Sequence, residues 1–144
     1  MIMLSDEIIE SSIHRGSILH SYMFKDIGHG KFFVVVGVSK NKVAGFFFIN
    51  SDINFLVRDN QELMNLQYLL KKKDYPFLKY DSFLCATRFI ECKIEDIIQS
   101  IRDNQTKFIS ELNDTDITNI VEMVSNSKAF SSRDKLKYLG DNTK

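Results

Sequence analysis

The most prominent apolar positions of the chain lie in two neighbouring runs in its first half. Residues 31–38 are an almost unbroken series of β-branched and aromatic side chains, residues 39–42 are polar, and residues 43–50 form a second apolar run. Two such runs around a short polar connection predict a β-hairpin. Because neither run alternates apolar with polar positions, we expect both faces to be covered, either at the centre of a small barrel or against a second subunit. The expected core residues are Phe33, Val35, Phe46, Phe48 and Ile49.

Shorter apolar runs predict further strands on both sides of the hairpin. Residues 17–23 form one such run, residues 81–92 form another, and residues 106–110 are a brief extended piece. Residues 66–70 fit either a strand or a helix, because their periodicity does not decide between the two. The loop over residues 25–30 leads into the hairpin and holds two glycines, which are able to adopt positive φ.

The apolar period changes to that of a helix after residue 93. The positions that repeat at helical spacing are Ile94, Ile97, Ile98 and Ile101 in a first segment and Ile117, Ile120, Val121 and Val124 in a second. Both segments predict short amphipathic helices, and the polar residues 113–116 supply N-cap chemistry for the second. Residues 128–144 are polar and carry more basic than acidic side chains, which predicts a partly disordered, basic tail.

The order of these segments predicts the fold class. Five or six short strands followed by helices suit a mainly β (α+β) domain, in which a small, strongly bent sheet or barrel is capped by C-terminal helices. We therefore expect a single domain over residues 1–127, followed by the polar basic C-terminal tail over residues 128–144.

Composition narrows the class of protein. A chain of 144 residues, 44% hydrophobic and 12% aromatic, is typical of one globular domain, and its net charge of zero gives no global reason for nucleic-acid binding. No apolar run approaches the roughly 18 residues of a membrane span, and the N-terminus lacks the basic start of a signal peptide. We therefore expect a cytoplasmic protein with no membrane partner. Cys85 and Cys92 have opposite parity within the predicted strand, which disfavours a disulfide between them.

Four segments of the chain follow one another in a recognisable order. Residues 15–19 (RGSIL) are similar to a "G-D-I-V" strand, and residues 28–36 (GHGKFFVVV) to a "G-H-R-P" loop before a valine-rich strand. Residues 79–82 (KYDS) occupy the place of a basic-x-Asp-Gln segment, and residues 109–117 (ISELNDTDI) are similar to "G-x-L-S-x-E-D-L" before a last helix. In this order and spacing the chain resembles the PemK/MazF toxins, the small RNA-cleaving toxins of bacterial toxin–antitoxin pairs.

The resemblance implies an SH3-like barrel with a C-terminal helix, usually present as a homodimer. It also implies a toxin that cleaves single-stranded RNA without a metal ion, and a cognate antitoxin protein that blocks the RNA groove. The chain departs from the family pattern at three places. Lys31 and Phe32 stand where the family commonly has Arg and Pro, Ser51 replaces a Thr, and Asp81-Ser82 replaces Asp-Gln.

Metal-independent RNA cleavage uses the 2′-hydroxyl group as its nucleophile, so it needs a base, an acid and cationic groups around the phosphate. The resemblance implies Asp81 as the base, with Lys79 as the acid or as a phosphate ligand. Lys31 and His29 flank the glycine loop and are placed to contact phosphate, and a histidine titrates near neutral pH. The expected catalytic residues are Asp81, Lys79 and Lys31, and the expected substrate-binding residues are His29, Ser51 and Arg88.

Each of these residues also has a purely structural interpretation. Asp81 is also typical of a turn aspartate bonded to the backbone, and the basic residues are typical of a solvated surface. His14 and His20 show no partner spacing, and the sequence contains no metal-ligand cluster, P-loop or dinucleotide-binding glycine pattern. We therefore expect neither a metal ion nor a cofactor. The alternative function is a non-catalytic SH3-like module that binds a peptide or a nucleic acid.

Overall fold

The computed structural model describes residues 5–25, 27–53 and 55–140, with only the backbone at residues 55 and 56. Its helices and strands, in chain order, are α1 (Asp6–Ser11), β1 (Ser17–Ser21), β2 (Lys31–Val38), β3 (Val43–Asn50), α2 (Phe55–Arg58), α3 (Gln61–Met64), β4 (Gln67–Leu70), β5 (Ser82–Cys85), β6 (Ile90–Lys93), α4 (Ile94–Arg102), β7 (Thr106–Glu111), α5 (Asp114–Asn126) and α6 (Ser132–Leu139).

Within the described residues, seven strands form one antiparallel sheet in the order β4-β5-β3-β2-β1-β7. The remaining strand, β6, pairs with the first half of β3, whereas β5 pairs with its last two residues, so β5 and β6 lie end to end along one edge of β3. The expected mixed α+β class, with the sheet as its larger part, is confirmed. The terminal strands β4 and β7 are not paired with each other among the described residues, so the sheet is open.

The predicted hairpin is confirmed as β2 and β3, which pair from Phe32 with Ile49 at one end to Val38 with Ala44 at the other. One face carries Phe33, Val35 and Phe46 into a core shared with α1 and α4. The opposite face belongs to a larger core that α5 and α6 cover. Both faces are therefore buried by helices of the same chain, which explains the missing alternation without a second subunit. Of the five expected core residues, Phe48 alone is only partly buried.

The strand predicted over residues 81–92 is two strands. After Cys85 the chain turns, Ala86 donates its backbone N–H to the Leu66 carbonyl, and Phe89 enters the larger core with its ring 5.2 Å from that of Phe47. Cys85 and Cys92 thus lie on separate strands, so the parity argument was wrong, although both thiols are free. Burial and the nearby Asp96 raise the pKa of Cys92 to about 11, so this thiol is protonated at neutral pH.

The prediction of a partly disordered tail is wrong for residues 132–139. They form α6, which begins at the N-cap Ser131 and ends with Tyr138 and Leu139 buried in the larger core. The sequence does not reveal this helix, because five of its eight residues are polar and only its last two side chains, Tyr138 and Leu139, are buried. Residues 141–144 of the predicted tail lie outside the described residues, as do residues 1–4 at the N-terminus.

The remaining helical predictions agree with the structure. The segment after residue 93 is α4, and the second periodic segment is α5, whose N-cap Asn113 accepts the backbone N–H of Asp116 at 2.8 Å. The ambiguous residues 66–70 contain strand β4. In the described part of the chain, none of the helices combines the length and the apolar character that crossing a membrane requires.

Candidate functional site

A cavity of about 880 Å³ opens where β2 begins and β3 ends. We call it the hairpin-end cavity. Three segments contribute most of its walls, namely residues 29–32, residues 49–53 and residues 77–80 with Ser82, and two further side chains come from His20 on β1 and Arg58 on α2. Because Phe32 of β2 pairs with Ile49 of β3, the hairpin itself brings the first two segments together. The third arrives because β5 pairs with the end of β3.

Lys31 stands at the rim of the cavity in a partly buried setting. Its ammonium group donates to the side-chain oxygen of Asn50 and lies 5.2 Å from the centre of the Phe48 ring. Burial lowers the pKa of Lys31, and a weaker opposing effect comes from Cys85. None of the described carboxylates forms an ion pair with this ammonium group. The lysine is therefore positioned by an amide and keeps its charge available for an anion.

Lys79 and Tyr80 line the cavity from the segment that precedes β5, and both are exposed. Lys72 fixes the position of this segment through two hydrogen bonds. Its backbone N–H donates to Asp81 Oδ1 at 2.8 Å, and its ammonium group donates to the Leu78 carbonyl at 2.8 Å. Lys79 makes no hydrogen bond or ion pair with a described residue. The segment thus holds a free cation next to an exposed aromatic ring.

The charge of the cavity differs from that of the whole chain. Among its described lining residues, Lys31, Arg58 and Lys79 are cationic, whereas Asp52 is the one carboxylate. Asp52 pairs with Arg58 at 2.5 Å and offsets that charge. A chain of zero net charge therefore presents a locally basic cavity, as a phosphate-binding site requires.

His29 lies in the loop before β2, and its Nδ1 donates to the Gly30 carbonyl at 2.8 Å. This contact fixes the hydrogen on Nδ1 in the neutral ring and leaves Nε2 free. Ser51 lines the cavity just after β3 and is exposed. The two glycines of the loop are not in the left-handed region of φ that the sequence allowed for.

The structure brings together four of the six residues expected from the sequence, because Lys31, Lys79, His29 and Ser51 all line the hairpin-end cavity. Asp81 is not among the described lining residues, and its carboxylate accepts the backbone N–H of Lys72. Arg88 is also outside this lining, and it is exposed in the bend between β5 and β6. The local likeness to a family motif selected Asp81 from the sequence alone, and such a likeness does not determine where the side chain points.

His20 is the lining residue that the sequence reasoning missed. It lies on β1, opposite Phe32 of β2 and Lys107 of β7, and its ring centre is 4.7 Å from that of Phe32. Burial, and secondarily the charge of Lys107, lowers the pKa of His20. His20 reaches the cavity because β1 pairs with the start of β2. The spacing of residues within either segment does not reveal this pairing.

The arrangement is suited to binding a phosphate-containing ligand. Its cations attract the phosphate, the aromatic rings of Phe32, Phe77 and Tyr80 offer apolar surface, and two imidazoles can exchange protons. Over the described residues, no group of three or more His, Cys, Asp and Glu side chains is arranged to hold a metal ion.

Comparison with known proteins adds no relative: no protein-family model matches the chain, and no curated protein is significantly similar to it. The resemblance to the PemK/MazF toxins therefore stays a prediction that rests on the four sequence segments.

Proposed function

We propose that this protein is a metal-independent endoribonuclease that binds single-stranded RNA in the hairpin-end cavity. The observation that carries the proposal is that Lys31, Lys79, His29 and Ser51, each selected for RNA chemistry from the sequence, line one basic cavity. Cations that surround a phosphate stabilise the charge that develops when the phosphodiester bond breaks. The 2′-hydroxyl group serves as the nucleophile and separates RNA from DNA as a substrate.

The exposed aromatic surface favours a single strand over a duplex. Tyr80 is 65% exposed at the cavity, and Phe77 packs there against Phe32 with ring centres 4.9 Å apart. Unpaired bases stack on such rings, whereas the bases of a duplex are already stacked on one another.

The finer features implied by the PemK/MazF resemblance belong to the same proposal. They are an SH3-like barrel, a homodimer and a cytoplasmic location. In addition, this protein is the toxin component of a pair, and a cognate antitoxin protein inhibits it by blocking the cavity. The register shifts in the pairing of β1 with β7 and of β2 with β3 support the barrel, because such irregularities bend strands.

The test is incubation of the purified protein with a mixed single-stranded RNA in the presence of EDTA. We expect cleavage that leaves a 2′,3′-cyclic phosphate and a 5′-hydroxyl end, because the neighbouring 2′-oxygen attacks the phosphorus. Lys31→Met should slow cleavage by about 10²-fold, since it removes a cation from the site. Intact RNA after prolonged incubation would contradict the proposal.

Lys40→Met is the matched control for this lysine. Lys40 is exposed in the connection between β2 and β3, at the other end of the hairpin and more than about 20 Å along the strands from Lys31. It makes no hydrogen bond or ion pair with a described residue. Equal loss in both lysine variants would mean that general charge, and not the cavity, carries the activity.

One observation favours the second candidate function, a non-catalytic module that binds RNA or a peptide. The carboxylate that the family likeness assigns as base, Asp81, bonds to the backbone N–H of Lys72 and does not line the described cavity. This candidate predicts that the wild-type protein binds RNA in a gel-shift assay and leaves it uncut under every buffer condition. Cleavage by the wild-type protein and its loss in Lys31→Met would reject it.

A further inference from the structure

We propose that His20 is the general base of the hairpin-end cavity, the group that takes the proton from the 2′-hydroxyl of the bound RNA. The assignment rests on the proposed endoribonuclease function. It assigns the role of base to a residue that neither the sequence pattern nor the family likeness selected. Asp81 then has a structural role, in which its carboxylate accepts the backbone N–H of Lys72.

His20 is held on a strand that is paired on both sides. Strand β1 is paired on one side with β2 and on the other with β7, and His20 lies in both pairings. Its ring meets Tyr22 and Phe32 edge-on, with ring centres 5.0 and 4.7 Å away. A proton acceptor must be held within hydrogen-bond reach of its substrate, and a packed ring on a central strand meets that requirement better than a loop residue.

The ring nitrogens of His20 are available. His20 makes no hydrogen bond with a described residue, although it is partly buried. Such a histidine commonly has its nitrogens bonded to a carbonyl or a carboxylate, which fixes its orientation. Here aromatic packing fixes the ring instead, so a nitrogen remains free to accept a proton.

Gly30 lets the loop before β2 lie directly against the His20 ring. A Cβ atom at residue 30 would lie 2.6 Å from Nε2 and 2.3 Å from Cε1 of His20. The backbone of Gly30 is outside the left-handed region, so its conformation does not call for glycine. The close approach of the His20 ring does require glycine, and because Gly30 and His20 both line the cavity, this contact holds the imidazole at the cavity wall.

The protonation state of His20 agrees with a base. Burial and the charge of Lys107 on β7 lower the pKa of His20, so the ring is neutral at neutral pH. The ionisable groups that surround it are Lys107 on β7, Tyr22 beyond the end of β1, and the cavity residues His29, Lys31, Asp52, Arg58 and Lys79. Of the charged groups in this set, Lys107 is the one that lowers the pKa of His20, because its charge disfavours a positive charge on the imidazole.

The chemical step balances with groups of the same cavity. The 2′-oxygen forms a bond to phosphorus as its proton passes to an unbonded ring nitrogen of His20, and the bond from phosphorus to the 5′-oxygen breaks. The leaving 5′-oxygen takes a proton from the Nε2 of protonated His29, whose Nδ1 is already bonded to the Gly30 carbonyl. Lys31 faces the negative charge on the phosphate. Solvent then restores the proton on His29 and removes the one on His20.

The first experiment measures kcat/KM against pH for the wild-type protein, His20→Gln and His14→Gln. A base must be unprotonated, so the wild-type rate should fall below the lowered pKa of His20. We expect His20→Gln to lose about 10²- to 10⁴-fold and to lose this acidic limb as well. His14 pairs with Glu111 outside the described cavity lining, so His14→Gln should keep both the rate and the limb.

A second experiment separates a base from an acid and from a merely structural role. RNA with sulfur in place of the bridging 5′-oxygen has a leaving group that needs no proton. If His20 is the base, His20→Gln should therefore lose the same factor in rate, relative to the wild-type protein, on this RNA as on ordinary RNA. Lys107→Gln leaves the imidazole and its burial in place and removes the second cause of its lowered pKa, the charge of Lys107, so the acidic limb should move to higher pH. This variant keeps the test valid if His20→Gln does not fold.

The outcomes distinguish the inference from the function on which it rests. If the wild-type protein cleaves RNA but His20→Gln keeps its rate and its acidic limb, His20 is not the base and the endoribonuclease function stands. Rescue of His20→Gln by the sulfur linkage would make His20 the acid and overturn the assignment. An unmoved limb in Lys107→Gln would also overturn it. If the wild-type protein cuts no RNA, the function and the inference fall together.

Discussion

At the scale of single residues, two glycines of the hairpin allow it to lie close to the last turn of α6. A Cβ atom at Gly37 would lie 1.8 Å from the backbone oxygen of Tyr138, and one at Gly45 would lie 2.7 Å from the Tyr138 ring. These two glycines therefore let α6 lie directly against the hairpin. Arg15 completes the contact by donating to the Tyr138 and Val36 carbonyls at 3.0 and 2.7 Å.

Gly37→Ala should destabilise the protein by about 3 kcal/mol, because the methyl group meets backbone that cannot rotate away. The measurement is the free energy of unfolding in urea. Gly28→Ala is the matched control, since a Cβ atom at residue 28 meets no described atom within 4 Å, and it should change stability by less than about 1 kcal/mol. Equal stability of the two variants would mean that α6 does not lie against Gly37 in solution.

The candidate site shows which residues sequence reasoning can find. Lys31 and His29 are recognisable because they adjoin a hairpin that its apolar runs define, and a hairpin brings its own ends together. His20 could not be found in this way, because its place beside Phe32 depends on the register between β1 and β2. Asp81 was assigned to the site because of a local likeness to a family motif, whereas its carboxylate accepts a hydrogen bond from the nearby backbone N–H of Lys72.

At the scale of elements, predictability depends on how much of the stabilisation is local. The hairpin and α4 have strong apolar patterns of their own, and both appear where the sequence placed them. The break between β5 and β6 is decided by Phe89 entering a distant core, and α6 by the burial of Tyr138 and Leu139. Periodicity predicts neither the break between β5 and β6 nor helix α6, because both depend on contacts between remote parts of the chain.

The end of α6 is attached to β6 by a polar contact that depends on pH. Tyr138 donates its hydroxyl hydrogen to Glu91, and Lys137 donates to the same carboxylate oxygen at 2.9 Å. These bonds lower the pKa of Glu91. A carboxyl with a lowered pKa in the folded state stabilises the fold above its unfolded pKa, and this stabilisation is lost as pH falls through the folded value.

Tyr138→Phe should therefore be less stable than wild type at pH 7, by about 1 kcal/mol, and the difference should shrink below the ordinary glutamate pKa of 4.5. Urea unfolding at pH 7 and at pH 3 measures both quantities. Tyr80→Phe is the control, because the exposed Tyr80 hydroxyl makes no hydrogen bond with a described residue. A deficit of the same size at both pH values would show that Glu91 is not the partner that matters.

At the scale of the whole molecule, two hydrophobic cores lie on opposite faces of one sheet. Helices α1 and α4 cover the smaller core, and α5 and α6 cover the larger one. The sequence-based expectation of a homodimer rested partly on the need to cover both faces of the hairpin. Because the chain covers both faces itself, that reason no longer applies, and the homodimer now rests on the PemK/MazF resemblance alone.

Light scattering at micromolar concentration tests the homodimer, for which we expect twice the 16.7 kDa mass of one chain. The proposed catalytic groups His20, His29, Lys31 and Lys79 all line a cavity within one chain. Cleavage should therefore scale with the number of chains and persist on dilution below the dissociation constant of a dimer. A monomeric mass together with intact cleavage would remove the homodimer and leave the site in place. Loss of cleavage on dilution would instead show that a second copy completes the site, which a cavity lined by one chain does not predict.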